Sequence, residues 1–278
     1  MTLVAVASGV MKNIPSLRIG LGVLAALSLY ISGNLYGAFV YEDNFSANNG
    51  ALNGRTTATG FGNWTVSDDY SPGDRSQFQV GNGTITINSN TPVEWHAATF
   101  ALPTLTANDT ISLSITIRPA APAAGFIGFG FTPNANQFVL NSGYGIVYTE
   151  SSAGPNIQIF EGPSTGIQPY ISSFSALNFN ASLPTTYQYT YSASAKTLSI
   201  NATNGGNSST LLNNYDMSAV PLSGFSNFAL QFQSVALGNA TSPAYVDYLK
   251  VEIVPEPSTF AMLLCGLGAM TALCRRRR

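Results

Sequence analysis

Charge is what this sequence has least of. Asp, Glu, Lys and Arg together make up 9% of its 278 residues, and His96 is the single histidine. Both cysteines, Cys265 and Cys274, stand near the C-terminal end, as do four of the eleven basic residues, Arg275, Arg276, Arg277 and Arg278. Between residues 38 and 253 that leaves Arg55, Arg75, Arg118, Lys196 and Lys250 against twelve acids, a net charge of −7. A nucleic-acid-binding surface needs a basic footprint, and docking on anionic lipid needs clustered Lys or Arg, so this stretch suits neither. One histidine cannot build a His-rich metal site without several carboxylates to complete it. With no cysteine there is no disulfide, so the stretch is held by its core alone, and about 216 residues is ample for one. Helical periodicity is nearly absent as well.

What is there instead is alternation of period two. TISLSITIR, from Thr110, puts Ile111, Leu113, Ile115 and Ile117 on one face and small polar residues on the other. TYQYTYS collects Tyr187, Tyr189 and Tyr191, and NFALQFQ collects Phe228, Leu230 and Phe232. Further runs are GNWTVS, GTITIN, ATFAL, GFIGFGF, GIVYT, NIQIF, KTLSI and YVDYLKVEIV, separated by breakers such as SPGD, TPNAN, SAGPN and NATNGGN. About a dozen short strands, half apolar and half Ser/Thr, predict an all-β chain of two packed antiparallel sheets. No repeat of fixed period is present, which argues against a propeller or a solenoid.

Candidate chemistry is sparse. Glu94 and His96 share a strand face at i and i+2, although a strand histidine is more often a packed residue than a ligand. GPSTG, at Gly162 to Gly166, formally matches a nucleophile elbow, but Pro163 and Pro169 flank a turn with no helix after it, and the lone histidine precedes the serine. Retaining glycosidases need two carboxyl groups about 5 Å apart. Glu42 and Asp43 point to opposite faces, and Glu94, Glu150 and Glu161 stand alone, so no catalytic residue is assigned and a non-enzymatic protein is expected. Asp68, Asp69 and Asp74 crowd the loop DDYSPGD, and hard oxygen ligands on a flexible loop suit Ca²⁺, the one cofactor in view. Sugar rings stack on exposed aromatics, which makes Trp64, Trp95 and Tyr144, with Tyr70 and Tyr148, candidate carbohydrate contacts. Core packing is the competing expectation for each tryptophan. Ice binding would need ranks of Thr-x-Thr on a flat face, and Thr84-Ile85-Thr86 is nearly alone in offering one.

The two ends differ from the middle. Phe260 to Leu273 carries no charge and runs into the arginines. A helix of that length reaches roughly 20 Å against a hydrocarbon core of about 30 Å, a marginal span that suits a segment meant for removal. The positive-inside rule keeps Arg275–Arg278 in the cytoplasm and the residues before Phe260 outside. At the other end Lys12 and Arg18 precede an apolar run from Ile19 to Ile31 and then SGNLYGA, the order of a secretory signal over residues 1–37. Met11-Lys12 offers an alternative start, and Gly33 or Gly37 a last residue before cleavage.

Val254, Pro255, Glu256, Pro257, Ser258 and Thr259, a hydrophobic helix over 260–274 and the cluster Arg275–Arg278 resemble, in that order, the PEP-CTERM sorting signal of Gram-negative bacteria. The resemblance covers residues 254–278 and implies an exosortase as partner, a membrane-embedded cysteine transpeptidase that cuts near Pro-Glu-Pro. It implies transient tethering to the inner membrane through the helix, then the cell surface or extracellular matrix, with exopolysaccharide and biofilm as the setting. The same tail is also known as an ice-binding protein C-terminal domain, a name that describes nothing of the body. The two prolines remove backbone donors and favour an extended chain, which keeps the motif accessible. A second resemblance lies in the body. EDNFSANNGALNGRTTATGFGNWTVS from Glu42, with AYVDYLKVEIV at the close, is similar to concanavalin A-like (laminin G-like) jelly rolls, implying one such sandwich over residues 38–253. The expectation is therefore an exported, non-enzymatic, polysaccharide-associated sandwich, with a carbohydrate-active enzyme or a calcium-dependent lectin as alternatives on the same fold.

Overall fold

Alternation of apolar and small polar residues makes strands wherever it persists for four residues or more, and Gly, Asn and Pro end them. The computed structural model describes residues 38–255 except 48, 57–61, 69–77, 88–93, 120–124, 135–143, 151–155, 161–166, 174–176 and 235–243. Its strands are β1 (Ala38–Asp43), β2 (Gly50–Ala51), β3 (Thr65–Asp68), β4 (Phe78–Gly81), β5 (Thr84–Ile87), β6 (Glu94–Ala101), β7 (Asp109–Pro119) and β8 (Gly125–Thr132). They continue with β9 (Tyr144–Glu150), β10 (Asn156–Phe160), β11 (Ile167–Ser173), β12 (Thr185–Ser192), β13 (Thr197–Asn204), β14 (Asn207–Asp216), β15 (Asn227–Ser234) and β16 (Ala244–Pro255). A short 3-10 turn, Leu222–Phe225, precedes β15. The expected signal helix (1–37), the apolar run 260–274 and the arginine cluster lie outside the described residues. Among those described, no helix is long and apolar enough to cross a membrane.

The strands form two antiparallel sheets. A nine-stranded sheet runs β14-β13-β12-β7-β16-β5-β4-β2 with β1 attached to β16, and a seven-stranded sheet runs β11-β10-β9-β8-β15-β6-β3. β1 also closes the chain on itself, because Ala38 pairs with Ile253 and Glu42 with Lys250. Between β4 and β5 the turn needs two residues in the left-handed region, and Asn82 (φ 53) with Gly83 (φ 79) supplies them. Residues 38–253 form one compact unit.

The core lies between the sheets. Phe129 of β8 meets Tyr187 of β12 at 5.1 Å between ring centroids, Phe131 meets Tyr189 at 5.1 Å, and Tyr191 stacks on Phe225 at 4.0 Å. Beside them Tyr41, Trp64, Phe100 and Phe228 form a second knot, joined to the first through Phe131 and Phe228 at 6.3 Å, with Trp64 set edge-on to Phe100 at 4.7 Å. Burying each such ring stabilises the fold by roughly 1.5–3 kcal/mol, enough in sum to replace the missing disulfides.

Candidate functional site

Two faces of the sandwich point away from this core, and they differ. On the seven-stranded sheet Ala97, Ala229 and Gln231, which alternate with the core residues of β6 and β15, are themselves 0% exposed. That surface is covered within the chain. On the nine-stranded sheet the positions between Ile111, Leu113 and Ile115, between the three tyrosines, and between Leu198, Ile200 and Ala202 are open, increasingly so from β7 towards β14.

Register assembles these open positions into rows across four strands. Thr116, Thr186, Thr203 and Ser208 stand side by side, as do Ser114, Gln188, Asn201 and Thr210. Ser112, Thr190 and Ser199 form a third row that Asn214 completes, and Thr110, Ser192, Thr197 and Asp216 a fourth. Rows of this kind repeat about every 6.8 Å along a strand and about 4.8 Å across strands. Side chains within a row hold one another. The Thr116 and Thr186 hydroxyls are 2.9 Å apart, those of Thr203 and Ser208 3.0 Å, and the Thr210 hydroxyl donates to Asn201 Oδ1 at 2.9 Å. Apart from Asp216 at one corner, every member is neutral and can both donate and accept. Lys196, in the β12–β13 turn, stands at the same corner as Asp216, and the other charges sit on the flank towards β16, already paired. Arg118 Nε lies 3.1 Å from Asp247 Oδ2, with its guanidinium over the Tyr245 ring at 4.5 Å, and Lys250 lies 2.9 Å from Glu252.

A second feature is a cleft of about 360 Å³ lined by Glu42, Asp43, Asn44 and Tyr248. Its acids are engaged structurally. Asp43 accepts from Arg55 Nη2 at 2.6 Å and Nε at 3.0 Å, from the Tyr41 hydroxyl at 3.1 Å and from the Phe45 amide at 2.6 Å. That last bond holds Phe45 in the left-handed region (φ 56), a conformation costly for an aromatic residue, while its ring stays buried. Glu42 accepts from the Tyr248 hydroxyl at 2.7 Å, and burial together with this carboxylate pushes the Tyr248 phenol up to about 12. The two carboxylates thus serve different partners, as their opposite faces on β1 require.

The residues expected to touch sugar fall elsewhere. Trp64 is 1% exposed, its ring enclosed by Tyr41, Phe100 and Phe228, so the expectation of an exposed platform there is corrected in favour of packing. Tyr144 is half-buried and stacks on Phe225 at 6.4 Å, tight against Gly224, where a Cβ would stand 2.7 Å from its ring. Trp95 is paired with Gln233 on β6, and Tyr148 with Gln158 on β9, but their side chains lie outside the described residues. Asp68 ends β3 opposite His96, whereas Asp69, Tyr70, Asp74 and the GPSTG stretch lie outside. Among the described residues no group of three His, Cys, Asp or Glu is placed to hold a metal ion. His96 is 0% exposed and edge-on to Phe78 at 6.3 Å, a core position. The rows of the nine-stranded sheet escaped sequence reading because each strand contributes only a few Ser or Thr, and register alone aligns them.

No curated protein sequence matches the chain. Among solved structures it is similar to the CBM2 module of the evolved Dit of Lactobacillus casei BL23 phage J-1, at 12% identity and TM-score 0.52, with 80% of this chain and 97% of that one covered. It is also similar to lectin II from Ulex europaeus (11% identity, TM-score 0.49, 80% and 100% covered) and to an endo-1,3-β-glucanase from Streptomyces sioyaensis (16%, 0.48, 80% and 97%). The likeness to the phage module is one of fold. Residues 254–278 match the PEP-CTERM protein-sorting motif. The chain therefore carries, directly behind a two-sheet jelly roll, the sorting signal of exported, exosortase-processed proteins.

Proposed function

We propose that the protein is a non-enzymatic component of the extracellular matrix, delivered to the cell surface by its sorting signal and retained there by neutral polysaccharide. The observation that carries this reading is the predominantly neutral face of β14, β13, β12 and β7, whose own charges, Asp216 and Arg118, stand at its margins. In a body of net charge −7, four strands present hydroxyls and amides while the neighbouring charges are paired at the flank. Such a face offers an ionic polymer little charge to bind, but it matches a surface of sugar hydroxyls, each group able to donate or accept. Its cross-strand hydrogen bonds fix side chains before contact, which lowers the ordering cost of binding. The sheet's twist, on the order of 20° per strand, favours a flexible polymer over an ice lattice. Thr84 is 6% exposed, so the Thr84/Thr86 pair forms no open rank either. Supporting the non-enzymatic reading, Glu42, Asp43, Asp109, Asp216, Asp247 and Glu252 each have a structural partner.

The test is retention of the mature protein on insoluble neutral glucan against alginate and chitosan, with Thr190→Lys/Asn201→Lys as the face variant. Both positions are exposed, so stability should move by no more than about 0.5 kcal/mol. Retention on the neutral glucan should fall at least about tenfold, the equivalent of one or two hydrogen bonds. Equal retention by both proteins would remove the face from the account. A preference for alginate or chitosan would remove the neutral ligand.

A further inference from the structure

The hydroxyls and amides on the open face of the nine-stranded sheet are not equally engaged. Thr116 and Thr186 hold each other at one end of the face, 2.9 Å apart, and the Ser192 hydroxyl lies 3.2 Å from that of Ser194 at the other. Towards β14 the Ser199 hydroxyl donates to Asn214 Oδ1 at 3.3 Å and accepts from the Asn214 amide at 3.0 Å. Asn201 Oδ1 takes the Thr210 hydroxyl, and towards β16 Arg118 is paired with Asp247. Inside this frame stand Ser112 and Ser114 on β7 and Gln188 and Thr190 on β12. Among the described residues their side chains have no hydrogen-bond partner, nor has the amide nitrogen of Asn201 on β13. Register makes these groups one patch, because Ser112 pairs with Thr190, Ser114 with Gln188, and Gln188 with Asn201. Gln188, Thr190 and Asn201 are exposed, and the two serines are half-buried. With about 6.8 Å between neighbours along a strand face and about 4.8 Å between strands, the patch measures roughly 7 by 10 Å.

The difference decides which groups a ligand can use. A hydroxyl in a bonded pair has committed its proton or a lone pair to its neighbour, and turning it towards a ligand forfeits that bond. The unpaired groups are bonded only to water, and a sugar hydroxyl that takes the water's place leaves no bond broken within the protein. Gln188 offers two donors and an acceptor, and each free hydroxyl one donor and two lone pairs. The bonded pairs around them hold the neighbouring side chains in fixed positions, which lowers the ordering cost of contact. We infer that Ser112, Ser114, Gln188, Thr190 and the Asn201 amide are the groups that touch the polysaccharide, over a stretch of about one or two sugar rings. The bonded pairs that frame the patch supply its shape and little of the affinity. The inference rests on the neutral-polysaccharide reading and narrows it from a whole face to one patch.

Two conservative double variants of the mature protein separate the patch from its frame. Gln188→Ala/Thr190→Val removes an amide and a hydroxyl that bond to no other described side chain. Thr203→Val/Ser208→Ala removes two hydroxyls of the same face that bond to each other at 3.0 Å. All four positions are exposed. Retention is measured on insoluble cellulose and on insoluble β-1,3-glucan, with a thermal melt of each variant beside it. The patch variant should lose at least about tenfold in retention, the worth of one or two hydrogen bonds, with its melting temperature unchanged. The frame variant should stay within about twofold of wild type. The trisaccharide of the retaining glucan should compete as well as the hexasaccharide, because either one fills the patch. Equal losses in the two variants, a loss in the frame variant alone, or a hexasaccharide that competes about tenfold better overturns the patch and leaves the neutral face standing. So does full retention of the patch variant beside a loss with Thr190→Lys/Asn201→Lys. A wild-type protein retained on neither glucan overturns the polysaccharide reading and the patch with it.

Discussion

At the scale of single residues, Trp64 and the three tyrosines of β12 decide most. Trp64, directly ahead of β3, and Val66 on it are two apart and both are 1% exposed, so the alternation of GNWTVS favours the packing expectation over the sugar contact. Replacing Trp64 by Ala should cost about 3–5 kcal/mol through lost contacts and the cavity left behind. For a body of this size each kcal/mol lowers Tm by about 2–4 °C, which a thermal melt will read, while retention on glucan in the cold stays unchanged. Tyr187, Tyr189 and Tyr191 carry buried hydroxyls with no hydrogen-bond partner among the described residues. Burial raises all three phenols above their ordinary value of 10. A proton held more tightly in the folded than in the unfolded state makes stability flat below pH 10 and falling above it. The part of the phenolate absorbance that these three contribute, taken as the difference from the Tyr187→Phe/Tyr189→Phe/Tyr191→Phe variant, should therefore rise together with loss of β-structure, in one alkaline transition. Separate transitions would place the hydroxyls in contact with water. Tyr189→Phe removes an unsatisfied donor and should leave Tm equal or higher, since such a group costs about 1–3 kcal/mol when left buried.

At the scale of elements, strands were legible and their partners were not. Period-two alternation marks β7, β12 and β13 without ambiguity, because each buries one face and wets the other. Nothing in TISLSITIR and TYQYTYS says that Ser114 stands beside Gln188. That comes from loops and turns whose lengths set register, and the candidate face exists only through it. One such device is Asn204, at the end of β13 and 1% exposed. Its Oδ1 accepts from the Asn180 amide at 2.8 Å, and its amide nitrogen lies 3.0 Å from Asn180 O, 3.1 Å from Leu183 O and 3.0 Å from Thr185 Oγ1. It ties the β13–β14 turn to the loop that starts β12. Asn204→Ala removes the acceptor of the Asn180 amide and the donor to Asn180 O, Leu183 O and Thr185 Oγ1, and should cost about 2–3 kcal/mol, with amide exchange rising first over residues 180–185. Asp43→Ala should be similarly costly, because Arg55 loses its carboxylate partner and the Phe45 amide its side-chain acceptor; an unchanged melting temperature would assign the cleft no structural role.

At the scale of the whole molecule, the ladder between β1 and β16 joins the beginning of the sandwich to its end. Closing it brings together residues 38 and 253, nearly the longest contact the body can make. The entropic cost of such a closure grows only slowly with length, but it has to be met before the contact returns anything. The ladder also cannot form until β16 has been synthesised and has emerged. On the proposed export route, a chain that crosses the membrane as it is made stays open and folds afterwards, dominated by non-local pairing, on a timescale of milliseconds to seconds. Joining 253 to 38 by a short linker and opening the chain at the Asn82-Gly83 turn turns the slowest closure into a local hairpin. That permutant should refold several-fold faster in stopped-flow mixing while unfolding at a similar rate, as expected when a contact belongs to the nucleus. The position of one short strand thus sets when the protein becomes folded, and late closure is what keeps it compatible with export.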